Sequence, residues 1–295
     1  MAALGRTWAW LRRNALPLYA GLAVAYMLVP IVVIAVFSFG DTPRDRLTFG
    51  LDDGFTLEYW REAFALPQLN EALFTSLRLA ALSTVVSTAI GTLMALALVR
   101  HRFFGRRGAN LLIVVPMATP EVVIGSALLS MFLLYFGASF LGLGSLLIAH
   151  VMFSISFVVV VVRSRLIGFD RSLEEAARDL GATPFQTFRL VTLPLLMPGI
   201  AGAALLAFAL SIDDFVISNF NAGDFVTFPL FIFGASQRGI PVEVYSVATI
   251  LFAVTVVGMV FTVWQQRRAE RMAAVLPDDD EEALPTVTAI GTARS

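Results

Sequence analysis

The sequence predicts an all-α membrane protein with six transmembrane helices and both termini in the cytoplasm, and three observations carry that prediction. Hydrophobic residues make up 58% of the 295 residues and charged residues 15%, where soluble domains carry roughly 25% charged residues. Apolar stretches recur at about 16–39, 72–99, 109–136, 144–162, 199–221 and 242–264, and about 20 apolar residues let a helix cross the hydrocarbon core. None of them alternates like a membrane barrel strand, and helices satisfy their own backbone hydrogen bonds in lipid. Arginines crowd every second connection, which sets the cytoplasmic side.

The N-terminal segment 1–15 carries Arg6, Arg12 and Arg13 and is read as cytoplasmic. Span one is longer than a signal-peptide core and no small-residue cleavage site follows it, so it is expected to be retained. The connection over 40–71 mixes acids (Asp41, Asp45, Asp52, Asp53, Glu58, Glu62) with aromatics (Phe49, Phe55, Tyr59, Trp60). It suits either a solvated connector or a segment folded back on the outer face. Spans two and three are joined through Arg100, Arg102, Arg106 and Arg107, and span four is followed by Arg163, Arg165, Arg171, Arg178 and Arg189. Arg267, Arg268 and Arg271 follow span six. Residues 16–270 are expected to form one six-helix transmembrane domain, and the acidic tail 277–295 reads as a disordered cytoplasmic extension.

The most informative connection is 163–198. Leu173, Ala176, Ala177 and Leu180 fall at helical spacing on one face, with Glu174, Arg178 and Asp179 turned elsewhere. Gly181 suits the left-handed position that ends a helix. Thr183, Pro184 and Gln186 then spell an N-cap, a first-turn proline and a capping box. This second helix is expected to run through Phe188 and Leu190 until Leu193-Pro194 stops it. A helix-turn-helix over about 171–194 would therefore lie on the cytoplasmic face. Its alanines and mixed charge fit a protein partner better than a lipid surface, which favours large apolar residues and a basic face.

From Glu175 the chain reads EAARDLGATPFQTFRLVTLP, which resembles the EAA loop of bacterial ABC-importer permeases. Glu175, Ala176, Ala177, Gly181, Leu193 and Pro194 sit at that family's spacing, with Val191 where isoleucine is commonest. The likeness extends over nearly the whole chain to the C-type permease subunit of spermidine/putrescine importers, through LVPIVVIAVFSF, SRLIGFDRSLEEAARDLGA and LSIDDFVISNF. The resemblance implies a type I (MetI-like) permease fold in the cell inner membrane and alternating access driven by a separate ATPase. Glu174 to Pro194 would be the ATPase-coupling loop. It further implies an ABC ATPase dimer, a homologous second permease and an extracytoplasmic substrate-binding protein as partners. Related permeases for iron, sulfate or thiamine share the loop, so the loop alone does not select a cargo.

Composition bounds the chemistry. Cysteine is absent, which excludes thiolate nucleophiles, disulfides and thiolate metal sites. Lysine is absent too, so the chain cannot supply a phosphate-binding loop of the GxxxxGK[ST] kind. Any ATP and magnesium are expected on a partner subunit, no cofactor is expected here, and nothing points to an enzyme or to nucleic acid. Glu121, Asp213 and Asp214 lie within apolar spans, where a carboxylate costs at least about 2.5 kcal/mol and normally faces a cavity or a counter-charge. A polycationic cargo would supply that charge and make the three residues a substrate path. Asp213 or Asp214 equally suits capping a broken helix, or pairing with Arg78, Arg163 or a sister subunit, and Glu121 suits a solvated outer edge. An ion-coupled carrier could also use such acids. His150 fits a hydrogen-bonded packing role better than a ligand.

Overall fold

The computed structural model describes residues 2–40 and 54–273. Its regular elements are helical: α1 Ala2–Phe37, α2 Glu58–Arg61, α3 Pro67–Arg100, α4 Arg106–Ala118, α5 Glu121–Phe136, α6 Leu143–Ile167, α7 Ser172–Asp179, α8 Pro184–Thr187, α9 Leu193–Ile212, α10 Val216–Asn221, α11 Phe228–Ser236 and α12 Val242–Ala273. Among the described residues, four helices are long and apolar enough to cross a membrane: Asn14–Phe37, Pro67–Arg100, Leu143–Ile167 and Pro184–Ile212. A fifth crossing is available if α4 and α5 count as one broken span. The predicted acidic tail 277–295 lies outside the described residues.

The chain divides into two units, Met1–Gly40 with Tyr245–Ser295, and Asp41–Val244. In the first, α1 carries Pro17 and Pro30 within one helix, and the Phe37 and Tyr245 rings lie 5.7 Å apart. The second is built on α3, α6 and α9, which pack against one another, with α4 on α6, α10 on α5 and α11 on α3. On α3, Ser83, Ser87, Gly91 and Ala95 recur every fourth residue and are buried. Small residues at this spacing let membrane helices approach closely. At Gly91 a Cβ would come within 2.6 Å of Val158 Cγ1 on α6. Ala95, Leu98, Val158, Val162, Leu196 and Ala203 fill the seam that results.

Two expected spans are interrupted. Span three bends by 111° at Thr119-Pro120, separating α4 from α5. Pro120 has no N–H to continue the ladder, and its ring disfavours helical geometry for the residue before it. Span five, expected over 199–221, instead starts at Pro184 and ends at Ile212, and α10 resumes after Asp213–Phe215.

Candidate functional site

Two clusters of predicted residues stand out in the second unit, one around α7 and one at the helix breaks. α7 begins after Asp170, whose Oδ1 accepts the Ser172 N–H at 2.9 Å, a bond that holds this exposed carboxyl below its usual range. It ends in a Schellman motif: the Gly181 N–H donates to Arg178 O at 2.9 Å and the Ala182 N–H to Ala177 O at 3.0 Å. Gly181 has φ +87°. No atom lies within 4 Å of a Cβ built there, so a side chain is opposed by backbone conformation, at about 1–2 kcal/mol, and not by crowding.

α8 opens with the predicted capping box. Gln186 N–H donates to Thr183 Oγ1 at 3.3 Å, and Thr183 N–H donates to Gln186 Oε1 at 2.8 Å. The expected stop at Leu193-Pro194 does not occur. A π turn over Phe188–Thr192 carries α8 directly into α9, where Pro194 is the second residue. The wider turn absorbs the missing proline N–H and its ring, so the second short helix is continuous with span five.

α7 also faces an unusual way. Leu173 and Leu180 on its apolar face are 48% and 89% exposed, as Phe185 and Leu190 beyond it are exposed. Glu175, Ala176, Gly181 and Pro194 are exposed, and Ala177, Val191 and Leu193 are half-buried. Glu174 is the buried member, 4% exposed. Its carboxylate accepts both guanidinium ends of Arg100, Nη2 to Oε1 being 2.7 Å, and the Thr192 hydroxyl at 2.5 Å. Burial disfavours the charge, yet the hydrogen bonds from Arg100 and Thr192 and the Arg100 charge prevail, holding the carboxyl below its ordinary value. The Arg100 guanidinium also lies over the Phe169 ring, 5.7 Å from its centroid. The sequence marked Arg100 only as a cytoplasmic-side arginine and did not pair it with Glu174, 74 residues away, nor did it point to Thr192.

The second cluster gathers Glu121, Asp213 and Asp214 at the two breaks. Glu121 is the first residue of α5. α10 packs on α5 where Gly125 leaves room for Phe220, and Asn221 Nδ2 donates to Gly125 O at 3.3 Å. Glu121 thus lies within electrostatic range of both aspartates. Glu121 and Asp213 are exposed on this chain, whereas Asp214 is 9% exposed. Asp214 caps α10: its Oδ1 accepts the Ile217 N–H at 3.2 Å and its Oδ2 the Ser218 N–H at 2.8 Å. Among the described residues, Arg78 and Arg163 pair with neither aspartate; Arg163 donates to Asn110 Oδ1 at 2.8 Å.

His150 on α6 spans the same break as a hydrogen-bonded packing residue. Its Nδ1 lies 2.8 Å from Ser211 Oγ and its Nε2 3.0 Å from Ser218 Oγ and 3.4 Å from Asp214 Oδ2. Ser83 Oγ on α3 donates to Ser211 Oγ at 2.9 Å. One tautomer satisfies every partner: the Ser211 hydroxyl donates to Nδ1, and the Nε2–H faces Ser218 and Asp214. Sequence reading missed Ser83, Ser211 and Ser218, whose small hydroxyls resemble any other small helix-packing residue.

With this architecture in hand, residues 87–273 match the family described as binding-protein-dependent transport system inner membrane component. The chain belongs to that family, and it is a transport subunit, not an enzyme. It is 39% identical over 235 residues to the spermidine/putrescine transport system permease protein PotC of Escherichia coli (strain K12), covering 79% of this chain and 86% of that protein. It is 35% identical over 258 residues to the putrescine transport system permease protein PotI of the same organism, covering 85% and 90%. Among solved structures, a bacterial ABC transporter involved in the import of alginate aligns with a TM-score of 0.63 at 18% identity, covering 90% of this chain and 99% of that chain. The methionine ABC transporter MetNI, in inward-facing form, aligns with a TM-score of 0.53 at 19% identity over 68% of this chain and 95% of that one.

Proposed function

We propose that this chain carries polyamines, spermidine or putrescine, across the bacterial inner membrane as the permease subunit of an importer powered by a separate ATPase. The observation that supports this cargo is the convergence of Glu121, Asp213 and Asp214 at two adjoining helix breaks, with no arginine paired to any of them among the described residues. An unneutralised carboxylate is expensive in lipid, and a polyamine's ammonium groups offset that penalty in passing. Asp214, capped onto α10 and shielded, holds the break open. Asp213 and Glu121, exposed on this chain, meet the cargo. The names of the relatives, spermidine/putrescine and putrescine permeases, favour the same substrate class.

On this reading six helices cross the membrane: α1, α3, α4 with α5, α6, α8 with α9, and the apolar part of α12, Val242–Gly258. Both termini and the segment 171–194 lie in the cytoplasm, where arginines concentrate. The exposed Leu173, Leu180 and Phe185 fit a cleft on an ABC ATPase dimer, because apolar patches of this kind on a wetted surface mark partner sites. ATP and magnesium are held by that partner, and this chain needs no cofactor. A homologous second permease completes the pathway, and an extracytoplasmic binding protein delivers cargo. ATP-driven closure of the ATPases moves the 174–191 helices, which alternate access to the acid cluster.

Reconstitution into proteoliposomes with the ATPase, second permease and binding protein tests this. Uptake of labelled spermidine or putrescine is expected only with ATP and the ATPase present. Uptake driven by an ion gradient alone, or transport of sulfate, ferric iron or thiamine in place of polyamines, would contradict it.

A further inference from the structure

α7 is eight residues long, too short to persist by helix propensity alone. It does not stay in place by burying its apolar face, since Leu173 and Leu180 are exposed. Its inward anchor is Glu174, gripped by Arg100, the last residue of α3, and by Thr192 in the π turn that feeds α9. One carboxylate therefore joins three elements, and α3 is the helix that packs on both α6 and α9. A bidentate guanidinium fixes orientation as well as distance, which a point charge does not. Buried ion pairs are weak contributors to stability compared with apolar packing, so geometry is the better account of this one.

We propose that Arg100 is a positioning residue for energy coupling: its fork on Glu174 makes α7, the π turn and the end of α3 move as one body. This rests on the reading of 171–194 as the ATPase contact. With the fork in place, a displacement of α7 is delivered to α3 and through it to α6 and α9. Without it, the same displacement is taken up by the connections at 168–171 and 180–183, and nucleotide is hydrolysed without moving the spans.

The test uses the complete importer in proteoliposomes, measuring ATP hydrolysis and spermidine uptake together. For Arg100→Gln, uptake per ATP hydrolysed is expected to fall about tenfold, while binding-protein-stimulated hydrolysis persists. Arg100→Lys should fall between it and the unmodified chain. The exchange Arg100→Glu with Glu174→Arg restores a charged pair, with Thr192 accepting in place of donating, and should recover part of the lost ratio. An unchanged ratio in Arg100→Gln overturns the proposal. So does a parallel loss of hydrolysis and uptake that the exchange fails to reverse, since that marks a merely structural residue. If Arg100→Gln does not assemble, an assembled exchange variant that hydrolyses ATP without uptake also overturns it. Failure of the unmodified complex to use ATP for uptake is a different result and sinks the importer reading itself.

Discussion

Glu174 and Asp214 are both buried carboxylates in the same helical unit, 4% and 9% exposed, yet they are satisfied in opposite ways. Glu174 has a full guanidinium of its own. Asp214 has two backbone N–H groups at the start of α10 and a histidine within 3.4 Å. A carboxylate closed by arginine is electrically finished and works as a mechanical joint. One held by backbone N–H groups has no guanidinium of its own, and on the proposed reading the exposed Asp213 and Glu121 near it are the groups that meet a cationic cargo. On the proposed reading, the first region transmits force and the second receives cargo.

Gly181→Asp should break the joint most completely without touching Glu174. The left-handed backbone at φ +87° disfavours a side chain by about 1–2 kcal/mol, and the new charge would sit on the exposed surface proposed to meet the ATPase. Transport is expected to be abolished while the chain still inserts, as membrane fractionation beside uptake would reveal; normal transport by a well-inserted variant would mean that α7 tolerates a different exit.

Glu174→Ala comes next. It leaves the half-buried Arg100 guanidinium without its carboxylate, a loss of hydrogen bonds between charged groups worth about 1.5–3 kcal/mol, so thermal unfolding in detergent should drop below that of the unmodified chain. Asp214→Ala removes the α10 cap and the acceptor facing His150; loss of the cap should cost about 0.5–2 kcal/mol, whereas Asp214→Asn, an equally good cap, should cost little. Were Asp214→Ala to prove the more damaging of the two alanine variants, the contrast between joint and cap would have to be reversed.

Acid should separate the two regions with the smallest effect. Glu174 is held below its ordinary value of 4.5, so its contribution is fully present above that value and is lost as pH falls through the lowered one. The stability gap between the unmodified chain and Glu174→Gln should therefore be constant near neutrality and close only below pH 4.5. A gap that closes already at neutral pH would indicate that Arg100 does not hold the charge.

Local chemistry was legible in the sequence, and long-range pairing was not. The Gly181 exit and the Thr183–Gln186 box were readable because every partner lies within a few residues. Most apolar spans were readable from hydropathy; the break at Asp213–Phe215 was foreseen only as one alternative, through a capping aspartate, and the break at Thr119-Pro120 was not foreseen. Pro120 does separate two helices, Pro194 is absorbed by a π turn, and Pro30 sits inside α1, so proline alone does not say which outcome follows. Asp213 and Asp214 looked equivalent until Ile217 and Ser218 were seen to donate to only one of them. The small-residue ladder at 83, 87, 91 and 95 was a visible signal for the seam between α3 and α6, and it was overlooked. Arg100 had no such signal, since its partner belongs to a different helix.

The division between the two aspartates is tested most directly by the KM for spermidine in ATP-driven uptake, measured for Asp213→Asn beside Asp214→Asn. Loss of the Asp213 charge should raise KM about tenfold, equivalent to about 1.4 kcal/mol of attraction, with ATP hydrolysis unchanged. Asp214→Asn should raise it less, because the cap survives. Unimpaired uptake by both variants, or a defect confined to Asp214→Asn, would contradict the account.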